Sequence, residues 1–483
     1  MCSMKTRPHF STLFVAFPAA RRFLWFSYQS SELNMHFSPH FPLVGPSSAV
    51  PAIRRMSQQQ PVSTTARVTP SGRAPSAILA LFRQMRFSGL VKRTSQFSLL
   101  FVALSAPLLL SVHAGGAERM SAKKEVLVYV GTAIYTDQTS TSIYAFRFNA
   151  STGQITSLGV AAESVNPGTL ALHSNGRFLY ATNEVGNYKG YRGGGVSAFA
   201  VDQAAGKLTF LNDEFSGGAN PAYVVVDKTG KFALVANYYG GQVSVFPLQK
   251  DGRLGEATAF VHSEGSSVNK VRQEGPHPHS VYVSPDNRFV MVCDLGLDKI
   301  LVYRFDATKG SLTPNEPPYA NVNPGAGPRH LAFSPNGKFV YVVCELQSSV
   351  SAFSYDAQKG ALQPLQTIAT LPSDFKGENT GAEIEVSPSG KFLYASNRGH
   401  DSIAVFAIDA ARGTLTPIEQ VSTLGKTPRN FAIDSTGAYL FVGNQDSDNI
   451  VVFHIDSKSG QLKPTGQALK VVSPTCIAFL PLP

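Results

Sequence analysis

The chain has 483 residues, 43% of them hydrophobic and only 15% charged, enough for one large core or several smaller ones. Its net charge of +10 would suit a nucleic-acid partner, but the excess sits at one end. Residues 1–125 carry 15 Lys/Arg against 3 Asp/Glu and the remainder 27 against 29, so the main body has no electrostatic case for binding DNA or RNA.

Residues 1–84 are rich in Pro, Ser, Arg and Gln without sustained periodicity, and read as disordered or as lying upstream of a true start at Met85. Residues 85–114 have the order of a secretory signal peptide: basic Arg86, Lys92 and Arg93, an apolar run from Phe97 to Val112, then Val112-His113-Ala114, with cleavage expected after Ala114. The run is too short and too poorly flanked for a stable membrane span. A periplasmic or secreted protein is expected, with a cytoplasmic one carrying an odd extension as the alternative. Residues 115–125 are a linker to a domain over 126–483.

That domain repeats itself. A glycine turn recurs as TGQI, AGKL, DGRL, KGSL, KGAL, RGTL and SGQL, and its glycines (Gly153, Gly206, Gly252, Gly310, Gly360, Gly413 and Gly460) are spaced by 53, 46, 58, 50, 53 and 47 residues. Each turn joins an alternating apolar strand, such as VSAFSY from Val350, to a following strand. Each unit also holds a second hairpin of the kind GPRHLAFSPNGKFVYVV from Gly327, with an Asn-Gly or related turn between apolar runs. Four short strands per unit, seven units and no helical period predict an all-β seven-bladed β-propeller with four antiparallel strands per blade. VLVYVGT from Val126 matches a second strand and SPTCIAFLP from Ser473 a first, so the closing blade is shared between the domain termini and leaves no open edge. Cys293, Cys344 and Cys476 lie in apolar runs at no metal-ligand spacing and read as buried free thiols.

The start of a blade's first strand and the end of its second open on one face. Following the repeat proline, or the Gly381 that replaces it, come Gly168, Ala222, His279, Arg329, Ala382, Arg429 and Thr475; past the second strands lie Glu184, Leu295, Glu345, Arg398 and Gln445. His279, Arg329, Glu345 and Arg398 come from three consecutive blades and should converge at one mouth of the channel, where Glu383 could join them. A solvated rim of scattered charges is the bland alternative. Guanidiniums hold an anion bidentately and stabilise a developing oxyanion, while a carboxylate or imidazole moves a proton. With no nucleophile elbow, HExxH, P-loop or dinucleotide fingerprint, ester-type hydrolysis or cyclisation without a metal or cofactor suits these groups best. The pair His277 and His279 in GPHPHSVYV suggests metal ligands, but no acidic or Cys cluster accompanies it. By strand alternation His330 should point away from the channel. His400 and Asp401 should be solvated, and the stretch from Asn183 to Gly195, with Tyr188, Tyr191 and Arg192, reads as a flexible surface loop.

GPHPHSVYVSPDNRFVMVCDLGLDKI, GPRHLAFSPNGKFVYVVCELQSSVSAF, SNRGHDSIAVF and TPRNFAIDSTG resemble the lactonase family of seven-bladed propellers, which includes propeller-type 6-phosphogluconolactonases and lactone-forming carboxy-muconate cyclases. The resemblance implies His279, Arg329, Glu345 and Arg398 as catalytic residues, with Glu345 as base or proton shuttle, His279 as partner acid/base or carbonyl polariser, and the arginines holding anions. It adds Arg429 as substrate-binding; Glu383 and His277 are further candidates for contact with substrate. It implies a small-molecule lactone substrate; a monomer or weak dimer is expected. The export signal conflicts with the phosphorylated lactone of cytosolic sugar metabolism: either the segment is not a signal, or the substrate is some other sugar or organic-acid lactone. A lactone-forming cycloisomerase and a non-catalytic propeller binding a protein, glycan or envelope partner are the alternatives; the latter would not need Glu345 facing two arginines and a histidine.

Overall fold

The apolar runs and the alternating runs of each repeat fold to different depths. Second strands such as Phe339–Cys344 (FVYVVC) are buried at every residue, because neighbouring blades cover both faces. Outer strands such as Leu462–Lys470 alternate between covered and exposed residues, as a sheet with one face in water should. The computed structural model describes residues 125–136 and 140–483. The tail, the signal-like segment and nearly all of the linker fall outside the described residues.

Seven four-stranded antiparallel sheets follow one another. Blades 1 to 7 are numbered here by their inner strands: Leu170–Leu172, Pro221–Val226, Pro278–Val283, Pro328–Phe333, Thr380–Val386, Pro428–Ile433 and Pro474–Pro481. Blade 7 closes as predicted: Pro474–Pro481 pairs with Glu125–Thr132, from Val126 opposite Pro481 to Val130 opposite Ile477. The core lies between blades; Phe289, Met291 and Cys293 of blade 3, for example, pack with Val340, Val342 and Phe353 of blade 4. The repeated turn glycine has a cause. Gly360 sits at φ +65, and a Cβ there would come within 2.4 Å of Phe289 in the preceding blade. All three described cysteines are free and buried.

Two details depart from the repeat. DGRL in blade 2 does not lead straight into a strand: a single Leu248–Leu254 bridge forms, and the outer strand comes later at Ala259–His262. Pro247 ends the strand before this turn and has no N–H to extend the ladder. The stretch 183–195 is not a featureless loop either. Asn187–Tyr188 pairs with Tyr191–Arg192, and the buried Tyr188 donates to Asp213 at 2.7 Å, while Tyr191 and Arg192 stay exposed. The helical content of the described residues is one turn, Gln445–Ser447, and no helix there is long and apolar enough to cross a membrane.

A repeated irregularity shapes the channel. In blades 2, 3, 4 and 6 the register slips between the repeat proline and the residue two further on, as at Pro278/Ser280 and Pro328/His330. Blade 5 slips between Gly381 and Ile384. Such a bulge breaks strict alternation and re-aims side chains. Two consecutive residues of the strand therefore face inward before the period of two resumes.

Candidate active site

Each inner strand is brought to the mouth by the hairpin of the blade before it. Asp298 and Asp401 occupy the left-handed turn of that hairpin, at φ 56 and 53, a conformation Asp tolerates better than most residues. Asp298 accepts from Gly325 N at 2.6 Å and Gly327 N at 2.8 Å, fixing the approach to Arg329. Asp401 accepts from Thr427 N at 2.8 Å and pairs with Lys426, fixing the approach to Arg429. Asp401 is thus buried and structural rather than solvated. His400 beside it bonds Ser402 at 2.7 Å and packs edge-on against Phe375.

The mouth is a cavity of about 700 Å³ whose wall includes Glu184, Tyr238, Arg272, His279, Glu345, Arg398 and Arg429. At one side Glu345 gathers three guanidiniums. Arg272 Nη2 donates to Oε1 at 2.6 Å, while Arg398 Nη2 and Arg329 Nε stand 2.9 and 3.1 Å from Oε2. Burial alone would raise this carboxyl; Arg398, Arg329 and Arg272 outweigh burial and hold it at about 2. Arg329 is itself fully buried, and burial, with Arg398 and Arg429 nearby, pulls it down to about 9, so it stays charged at neutral pH. It braces the pair from behind, donating to Ala382 O at 2.7 Å, and is absent from the cavity wall. A carboxylate so held is an anchor for arginines and a weak base, contrary to the proton-transfer role expected for Glu345.

His279 stands in the wall edge-on to Tyr238 and His330. Burial first, then the charges of Arg329, His330, Arg429 and Arg398, keep its imidazole well below the usual range, so it is neutral at pH 7. At the far side Glu184 accepts from Tyr135 Oη at 2.8 Å and lies 3.9 Å from Arg429, whose guanidinium covers the Tyr135 ring.

Of the residues expected at the mouth, His279, Glu345, Arg398 and Arg429 line it together, with Arg329 directly behind. His277 does not line it. It stacks on Tyr238 at 4.6 Å and bonds Tyr238 O and Glu274, so it supports the wall from outside. Glu383 lies one step deeper, in a separate cavity of about 370 Å³ lined by all seven inner strands, where it meets His330 at 2.8 Å and Asn430. His330 lines that same channel instead of pointing away, because the bulge at Arg329 turns two successive side chains inward. Arg272 was not foreseen. It comes from the long connection between blades 2 and 3, whose only trace in the sequence is the 58-residue spacing from Gly252 to Gly310. Glu184 stood in the right ring position, but its partner Tyr135 carried no repeat signature.

Known proteins agree with this architecture. The family described as "Lactonase, 7-bladed beta-propeller" matches residues 127–479. A 6-phosphogluconolactonase of Bacillus subtilis is 37% identical over 306 residues, which is 63% of this chain and 84% of the relative. Among solved structures, a putative 6-phosphogluconolactonase from Bacteroides fragilis is 37% identical with a TM-score of 0.68, covering 74% of this chain and 98% of that one. A periplasmic gluconolactonase from Pseudomonas aeruginosa is 33% identical with a TM-score of 0.69, covering 74% of this chain and all of that one. The mouth and its ring of blades therefore belong to a member of the seven-bladed β-propeller lactonase family.

Proposed function

We propose that the protein hydrolyses a sugar or organic-acid lactone at the mouth cavity. The observation that carries this is the surplus of positive charge: three arginines and two carboxylates in the wall, with Arg329 behind them. Arg272 and Arg398 reach the cavity with Glu345 fixing their planes, so they are preorganised to bind an anionic group and to meet charge developing on the carbonyl oxygen. The neutral His279 supplies a hydrogen-bonding group to carbonyl or water. Tyr238, Tyr239, Asn187 and Asn220 give the aromatic and amide surface that a polyol ring needs. The names of the Bacillus and Pseudomonas relatives support the same reaction class.

We propose that the protein lies outside the cytoplasm, on the signal-like order of residues 85–114 and on the likeness to a periplasmic Pseudomonas gluconolactonase. An unphosphorylated lactone follows from that placement. The test is hydrolysis of phosphorylated and plain sugar lactones side by side by the full-length protein and its Arg398→Ala variant. Opening of the plain lactone faster than its spontaneous rate, lost in the variant, is expected. No acceleration on any lactone would overturn the reaction class; acceleration on the phosphorylated lactone alone would overturn the substrate and the compartment.

A further inference from the structure

The seven second strands end at one ring of positions, and two of these carry a glutamate: Glu184 in blade 1 and Glu345 in blade 4, set apart across the ring. The two carboxylates have the same backbone placement and opposite surroundings. Glu345 is saturated by three guanidiniums. Glu184 has one oxygen bonded to Tyr135 Oη at 2.8 Å, while the other meets Arg429 at 3.9 Å, beyond hydrogen-bond reach, and leaves lone pairs for a molecule in the cavity. Room for the Glu184 carboxylate is built in. Where blades 3, 4 and 6 carry His279, Arg329 and Arg429, blade 1 carries Gly168, and a Cβ there would stand 2.3 Å from Glu184 Oε2.

We propose that Glu184, oriented by Tyr135, is the group that takes and returns the proton in the lactone opening. This rests on the lactonase reading above. Water adds through its oxygen to the lactone carbonyl carbon as Glu184 takes one of its protons, and the negative charge collects on the carbonyl oxygen against the guanidiniums. The ring C–O bond then breaks and the proton on Glu184 passes to the departing ring oxygen. Lactone and water give the hydroxy acid, and the carboxylate is restored. The charged and titratable groups around Glu184 are Tyr135, Arg429 from blade 6 and, further off, Arg329. Burial raises the Glu184 carboxyl against their opposing pull, toward the range useful for a base, while Glu345 is held at about 2. Two carboxyls pushed apart in this way mark a division between proton transfer and charge anchoring.

The experiment uses full-length protein and glucono-δ-lactone, with proton release followed across the acid side of the rate profile in Glu184→Gln, Glu184→Asp and Tyr135→Phe. Glu184→Gln should lower kcat by about 10²–10⁴-fold with KM little changed and the acid limb gone. Glu184→Asp should restore part of the rate. Tyr135→Phe, which removes a hydrogen bond that favours the carboxylate, should move the acid limb to higher pH. An active wild type whose Glu184→Gln variant keeps its kcat and acid limb overturns the assignment, as does a loss carried wholly in KM. If Glu184→Gln fails to fold, the limb in Tyr135→Phe decides: a shift supports the proposal and an unmoved limb overturns it. A wild type no faster than spontaneous opening overturns the lactonase reading itself.

Discussion

The mouth cavity and the channel behind it carry opposite charge although they share strands: all seven inner strands line the channel, and four of them also reach the mouth through Ala222, His279, Thr380 and Arg429. Arg272, Arg398 and Arg429 line the first, with Arg329 behind. Glu383 and Glu385 line the second, with His330, Tyr223, Tyr282 and Asn430. At the mouth a buried carboxylate is surrounded by guanidiniums and driven down to about 2. In the channel, burial and the neighbouring Glu383 push Glu385 up to about 8. A one-residue bulge thus separates a cationic mouth from an acidic lumen, and the proposed reaction is assigned to the mouth.

The comparison can be broken most severely at Arg329, which stands between the two cavities. Arg329→Ala removes a buried partner of Glu345 and should cost about 3–5 kcal/mol in denaturant unfolding, with lactone hydrolysis lost. Glu345→Gln tests the mouth electrostatically. A carboxyl lowered from 4.5 to about 2 contributes stability that is full above pH 4.5 and lost as pH falls through 2. Wild type should therefore exceed the variant by on the order of 3 kcal/mol at pH 7, with the gap closing in acid. The channel should respond with the opposite sign. Glu385, raised above its ordinary 4.5, makes the native state lose stability as pH climbs from 4.5 to about 8. Glu385→Gln should raise Tm at pH 8 and above, leave it little changed at pH 4, and spare hydrolysis. The smallest effect is expected at His277, which supports Tyr238 from outside: His277→Gln should keep kcat within about threefold of wild type.

The fold was legible because a period near fifty residues states it seven times over, down to the blade shared by the termini. The repeat proline also marked a position that reaches the mouth, where His279 and Arg429 are found, and the ends of the second strands marked another, where Arg398 and Glu345 are found. What alternation could not show was depth. The bulge after Pro328 puts His330 in the channel and the one after Gly381 puts Glu383 there, local slips that leave no mark in the apolar pattern. Repeat logic is equally silent about side chains from connections. Arg272 reaches Glu345 from the blade 2–3 loop and Tyr135 reaches Glu184 from the segment after Thr132, so each decides its carboxylate's surroundings from outside the repeat. The pairing of Glu345 with two predicted arginines could be guessed; the third guanidinium that makes it an anchor could not.

The central claim is that the cationic mouth, and not the acidic channel, opens a lactone. Its most direct test is kcat/KM for glucono-δ-lactone measured together for full-length wild type, Arg398→Ala and Glu385→Gln. Wild type and Glu385→Gln should be alike, and Arg398→Ala should fall by about 100-fold or more, the scale of losing a preorganised oxyanion donor. A wild type no faster than the spontaneous reaction, or equal rates in wild type and Arg398→Ala, would contradict it.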